Sequence, residues 1–295
     1  MPVTEWAQAK INLHLHILGQ RPDGYHQLRT VMHTLSLADQ LVMAHRPHGI
    51  QLTCDDPRLS CGADNLAYRA ARLLADRYPG QGVSIHLRKR IPWQAGLGGG
   101  SSDAAAVLRG LNRLWRLHLS LEQLSRLGAE LGSDVPFFLY GGMALAVGRG
   151  ELVEPLPHCL NSRVALVIPP FGLSTPAVYG AYRPSQRPVP RWDDLQRALI
   201  ADDRSQIARL LHNDLEQAAF TIRPELNAVK QRLVEHDYPA LLSGSGSSIF
   251  ALLPETPREP ALSQALPSDY RLLITRLAPR LPGISAGDRS LNTEL

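Results

Sequence analysis

This sequence predicts an α+β fold in two units, and three observations support that. Residues 10–18 alternate apolar and polar side chains, the period of a half-buried strand, and a second strand-like run follows at 26–37. A glycine-dense loop at 96–100 opens directly into a helical stripe. Strands and helices then mix without the regular strand–helix alternation of a doubly wound sheet. The 295 residues suffice for two domains of ordinary size. The expected division is 1–152, 153–279 and a flexible tail over 280–295.

The elements follow in order. In the first strand Ile11, Leu13, Leu15 and Ile17 share one face, while Lys10, Asn12, His14 and His16 share the other. Asp23-Gly24, inside RPDGYH, is a hairpin turn signal leading into 26–37. A helix is expected from Asn65 to Tyr78 and a strand from Val83 to Arg90. After the glycine loop, Ala104, Val107, Leu108, Leu111, Leu114 and Trp115 trace one helical face. Ser120 and Gln123 make a capping box for the next helix. A short helix begins at Ser133 or Asp134, with Pro136 in its first turn. Arg163–Pro169 reads as a buried strand and the proline-rich 184–191 as a surface loop. Helical patterns fill 193–237, LLSGSGSSIFALL (241–253) reads strand–turn–strand, and 271–277 a last strand.

Composition removes several classes of function. No apolar run approaches the ~20 residues of a membrane span, and the first residues lack the pattern of a signal peptide. Cys54, Cys61 and Cys159 are too few and too scattered for a disulfide framework. A cytoplasmic location is therefore expected. The net charge of +4 is spread thinly, without a block of like charges, which favours small acidic ligands over nucleic acid or a membrane. Of 31 basic residues only Lys10, Lys89 and Lys230 are lysine, and two of these stand in the motifs below.

The loop around Gly96, Leu97, Gly98, Gly99 and Gly100 suits phosphate, because glycine admits close backbone approach and the N–H groups at a helix mouth attract anions. It is not a P-loop, since no Lys-Ser or Lys-Thr follows. Pro92 and the missing downstream acid also set it apart from the dinucleotide fingerprint. Ser101, Ser102 and Asp103 are candidates for capping, phosphate contact or Mg²⁺ ligation. Lys10 and Asn12 share a strand face, where a lysine can pair with phosphate or carboxylate; alone, it reads equally as a surface lysine. Asp134, between a Gly-Ser turn and a very apolar segment, is either a helix cap or a general base. SGSGSS (243–248) is either a tight hairpin or backbone packed against a ligand or the first loop. His14 and His16 share a face, but no third ligand stands at zinc spacing, so they read as a polar face.

Taken together, AKINLHLHILGQRPDGYHQL (9–28), DNLAYRAARLL (64–74), GLGGGSSDAA (96–105), LGSDVPFFLYGG (131–142) and LSGSGSSIFAL (242–252) resemble the GHMP kinases. The resemblance spans roughly residues 6–278. It implies a two-domain architecture with the active site in the interdomain cleft, ATP and Mg²⁺ as cosubstrate and ion, and phosphoryl transfer to an alcohol. The best-matched branch of the family acts on a cytidine diphosphate-linked methylerythritol, a small molecule, in isoprenoid precursor synthesis. On that resemblance Lys10 and Asp134 form the catalytic pair and Asn12 positions the acceptor hydroxyl. Tyr25, His26 and Tyr179 bind the cytosine. Asn65 and Lys89 belong to the adenine site. Pro92 and Gly96 through Ser102 cradle the ATP phosphates. Trp93 and Gln94 depart from the family's usual smaller loop residues. Metal ligands and oligomeric state are not assigned.

Overall fold

The computed structural model describes residues 1–157, 160–185, 188–254, 262 and 266–280. The expected tail beyond residue 280 lies outside the described residues. The chain up to that point is tied down, since Ala278 N–H donates to the Thr34 carbonyl and Arg280 Nη2 to the Leu156 carbonyl.

Two sheets organise the molecule, the first mixed and the second wholly antiparallel. The first is built on a long antiparallel hairpin, β1 (Val3–Gln20) and β2 (His26–Arg46), closed by the turn at 21–25. Both strands run well past the alternating segments read from sequence. β3 (Ile50–Cys54) and β4 (Gly82–Arg88) extend the sheet on one side of β2, and β5 (Met143–Gly148) with β6 (Leu152–Pro155) pairs the other end of β2. β6 therefore belongs to the first sheet. Helix α1 (Leu66–Arg77) lies between β3 and β4, capped by the Asn65 side chain, which accepts from Ala67 N–H. The helices α2 (Gly99–Leu114), α3 (Leu121–Leu131) and α4 (Val135–Tyr140) pack with α1 against one face of the sheet. The Ser120–Gln123 capping box of α3 is present with both bonds.

The second sheet, β11-β7-β10-β9, is formed by β7 (Arg163–Ile168), β9 (Ala240–Leu242), β10 (Ile249–Leu253) and β11 (Arg271–Arg276). The expected helical stretch is four helices, α6 (Trp192–Ile200), α7 (Arg204–Arg209), α8 (Glu216–Ile222) and α9 (Pro224–Glu235). It is interrupted by a two-residue strand, β8 (His212–Asn213), which pairs in parallel with His14 and Leu15 of β1. Helix α5 (Thr175–Ala181) sits at the cleft between the two sheets.

The apolar face of β1 explains how the halves join. Ile11 and Leu13 pack with Val164, Leu166 and Phe250 of the second sheet in one continuous core. The opposite row is also buried: Lys10 is 4 % exposed, Asn12 3 % and His14 1 %. β1 is covered on both faces, so its polar row is enclosed, not solvated.

Candidate active site

The two glycine-rich turns meet under Lys10. Ser243 Oγ donates to the Gly96 carbonyl at 3.0 Å, and Ser248 N–H donates to the Ala95 carbonyl. Gly96 has φ +74°, and a Cβ there would stand 2.1 Å from the Ser243 carbonyl oxygen, so only glycine fits. The hairpin at 243–248 is thus packed against the first loop. Lys10 N–H donates to the Leu97 carbonyl, which fixes β1 against the same loop.

Helix α2 begins at Gly98, in the left-handed region at φ +71°, with no side chain capping it. The N–H groups of the first turn have no intrahelical partner, and Gly99, Gly100 and Ser101 line a cleft of about 1090 Å³. Dipole and open N–H groups together make this an anion site.

Lys10, buried on β1, places Nζ 2.6 Å from Asn12 Oδ1 and 3.9 Å from Asp134 Oδ2. Asn12 is held in turn by donating to Thr30 Oγ1, which donates to the His14 carbonyl. Burial lowers the Lys10 pKa, with Asp134 opposing that shift. Asp134 occupies the N-cap position of α4 yet makes no cap hydrogen bond. Its carboxylate is therefore left for the cleft, which it lines.

At the other end of the cleft, the His26 and Tyr179 rings lie 5.2 Å apart, and Tyr182 meets His26 edge-on at 5.9 Å. Burial raises the Tyr179 pKa, with Asp134 adding to it, so its hydroxyl stays a neutral donor. Tyr25 is half exposed and carries the Arg149 guanidinium over its ring at 5.0 Å.

Lys10, Asn12, Tyr25, His26, Asn65, Lys89, Pro92, Gly96, Leu97, Gly98, Gly99, Gly100, Ser101, Asp134 and Tyr179 all line this one cleft. Ser102 does not: its hydroxyl donates to the Gln8 carbonyl, its N–H to the Gly98 carbonyl, and it is buried. It anchors α2 to β1 and has no donor left for phosphate. Asp103 is no cap either. It sits inside the helix, buried, accepting from Lys89 Nζ at 2.7 Å. Lys89 also pairs with Asp39, whose other oxygen accepts from the N–H groups of Arg90 and Ile91. The Lys89 ammonium is thus held by two buried carboxyl groups at the rim of the cleft. Asn65 likewise spends its side chain on the α1 cap and on the Ser60 carbonyl.

Sequence reasoning missed Asp39, Arg149, Arg183 and Thr175. The last three line the cleft. Arg149, in a Gly-Arg-Gly turn, carried the one available signal, a cation between two glycines. Asp39 stands in an ordinary strand pattern and carried none.

Two family models match this chain: the GHMP kinases N terminal domain over residues 65–142 and the GHMP kinases C terminal over residues 195–272. The chain belongs to the GHMP kinases. Among its relatives, 4-diphosphocytidyl-2-C-methyl-D-erythritol kinase of Synechococcus sp. (strain JA-2-3B'a(2-13)) is 45 % identical over 84 % of this chain and 84 % of its own length. The enzyme of the same name from Geobacillus kaustophilus is 43 % identical over 84 % and 87 %. A crystal structure of 4-(cytidine 5'-diphospho)-2C-methyl-D-erythritol kinase superposes with a TM-score of 0.77 at 39 % identity, covering 93 % of this chain and 99 % of that one. A homoserine kinase from Cytophaga hutchinsonii shares the fold with a TM-score of 0.73 at 23 % identity. Among the described residues, no helix is long and apolar enough to cross a membrane.

Proposed function

We propose that this chain transfers the γ-phosphoryl group of ATP to the 2-hydroxyl of 4-diphosphocytidyl-2-C-methyl-D-erythritol, a step toward isoprenoid precursors. The observation that carries this reading is the convergence of Lys10 and Asp134, 3.9 Å apart, beside the open N–H groups of α2. Asp134 accepts the hydroxyl proton as the oxygen forms its bond to the γ-phosphorus and the bridge to ADP breaks. Lys10 faces the Asp134 carboxylate and the negative charge of the transferring group. Asn12, already on Lys10, orients the hydroxyl. Loop 96–101 holds the triphosphate by backbone donation. Positioning and charge neutralisation, not covalent chemistry, supply the rate.

Ser101 and Asp134, with Ser133 and Asp103, are among the oxygen donors lining the cleft and would hold a Mg²⁺ whose other ligands are phosphate and water; bound, the ion would neutralise phosphate charge. At the acceptor end, His26, Tyr25 and Tyr179 offer flat rings and donors for a pyrimidine, and Arg149 and Arg183 offer charge for its diphosphate. The unit boundary is best placed just beyond β6, because β6 pairs with β5 in the first sheet. A cytosolic setting suits charged nucleotide substrates and the unpaired Cys54 and Cys61.

The test offers purified protein ATP with a panel of alcohols and follows ADP release. Release only with the cytidine diphosphate-linked methylerythritol, competed by CDP, supports the assignment. Faster release with homoserine or mevalonate overturns it.

A further inference from the structure

His16, His212 and Asp214 come together at the seam between β1 and β8, away from the phosphate loop. His16 Nδ1 lies 2.7 Å from Asp214 Oδ2, and His212 Nε2 lies 2.7 Å from Asp214 Oδ1, although His16 and Asp214 are 198 positions apart in the chain. The three ligand atoms lie within 4.8 Å of one another. From these contacts we infer that His16, His212 and Asp214 form a binding site for a divalent cation of the zinc type, independent of the cleft chemistry.

The donor set is that of a zinc site with an open position, two imidazoles and a carboxylate. Side-chain rotations of about 1 Å would bring the donors to the ~2.0–2.2 Å that zinc requires. Each ring would then carry its proton on the far nitrogen, and its bond to Asp214 would be exchanged for a metal bond. The carboxylate is already oriented: Ile17 N–H donates to Asp214 Oδ2 at 2.7 Å, an outer contact of the kind that fixes metal ligands. The His16 side chain is 28 % exposed and His212 18 %, so an ion has a path in.

A third imidazole gives a second observation. His14 is 1 % exposed, its ring 5.4 Å from that of His212, and no side chain hydrogen-bonds either nitrogen, although the Pro190 carbonyl faces the ring. A purely structural seam would be served better by an apolar side chain there. Its placement leaves a nitrogen donor in reserve beside the other three residues.

The site also has a mechanical consequence. β8 continues into Asn213, whose Nδ2 donates to the Leu242 and Gly244 carbonyls, and Gly244 lies directly beneath Lys10. A cation bridging β1 and β8 would clamp the two halves of the chain where the second glycine turn is set.

The experiment titrates the metal-free full chain with Zn²⁺ in competition with a chromophoric chelator, and separately records the visible spectrum with Co²⁺. One ion per chain is expected, with the ligand-field bands of a low-coordinate Co²⁺ site. Binding should fall at least tenfold in His16→Gln and in His212→Gln, each checked for native circular dichroism; if one variant misfolds, the other decides. Affinity unchanged in a folded variant, or an octahedral Co²⁺ spectrum with no saturable Zn²⁺ binding, would overturn the proposal.

Discussion

Lys10 Nζ stands 3.9 Å from Asp134 Oδ2, with Asn12 Oδ1 on its other side at 2.6 Å. Asp134 holds the N-cap position of α4 without capping it, so its removal leaves the helix bonds intact. Replacing Asp134 with Asn should therefore lower kcat by about 10²–10⁴-fold, the usual worth of a positioned base, with the melting temperature and the Kd for ATP close to the parent. Equilibrium nucleotide binding beside steady-state ADP release measures both. A variant that turns over at more than a tenth of the parent rate removes Asp134 from the proton-accepting role.

The pH profile tests Lys10. Burial lowers its pKa below the usual 10.5, so the neutral amine forms earlier as pH rises. The rate should fall on the alkaline side as that proton is lost. Lys10→Arg keeps a charge that does not titrate in this range, so whatever its absolute rate, its alkaline limb should move to higher pH. An alkaline limb at the same pH in both proteins would assign it to another group.

Much of this site was legible in sequence because its parts are local. The glycine loop, the Lys10–Asn12 pair and the Asp134 turn each carry their signal within a few residues, and the fold brings them to one cleft. What was not legible is what packing decides. Nothing in the alternation of β1 says that its polar row would be enclosed, because enclosure comes from elements distant in the chain: helix α2 packs on β1, and Gly98 and Gly244 of the two glycine turns lie against Lys10. Ser102 reads like Ser101 in sequence, yet one faces the cleft and the other the Gln8 carbonyl, a difference set by helix phase against β1. Asp103 reads as a cap because it follows serines at a helix start, but α2 begins early enough to carry it into the core.

Two glycines in the loop should respond oppositely to a methyl group. At Gly96 a Cβ meets the Ser243 carbonyl at 2.1 Å and φ is +74°, so Gly96→Ala should cost about 2–4 kcal/mol through strain and displaced backbone. At Gly100 the nearest atom is Leu66 Cδ1 at 3.5 Å and the residue is helical, so Gly100→Ala should fold as well as the parent, gaining up to about 1 kcal/mol of helix propensity. Its methyl group nevertheless projects where the triphosphate is proposed to lie, and the KM for ATP should rise several-fold. Thermal unfolding separates the first effect and ATP titration the second. A Gly100→Ala protein with unchanged KM would move the triphosphate away from the first turn of α2.

The buried trio Asp39, Lys89 and Asp103 predicts a stability that depends on pH. Lys89 faces two carboxylates, and Asp103 retains an oxygen with no partner. Burial pushes the Asp103 pKa up from 3.8 to about 8; Lys89 opposes the rise and Asp39 adds to it. The folded state therefore holds a proton on Asp103 that the unfolded chain releases near 3.8. By linkage this contribution to stability is full below that pH and is lost as pH rises through about 8. Asp103→Asn mimics the protonated carboxyl, so its unfolding free energy should equal or exceed the parent's at pH 8 and fall less steeply between pH 5 and 8. Lys89→Met strands Asp39 without its cation and should cost about 3–5 kcal/mol. Urea unfolding at several pH values checks both variants. Identical pH slopes for the parent and Asp103→Asn would mean that Asp103 is already ionised in the folded protein and that Lys89 is shared by two charges.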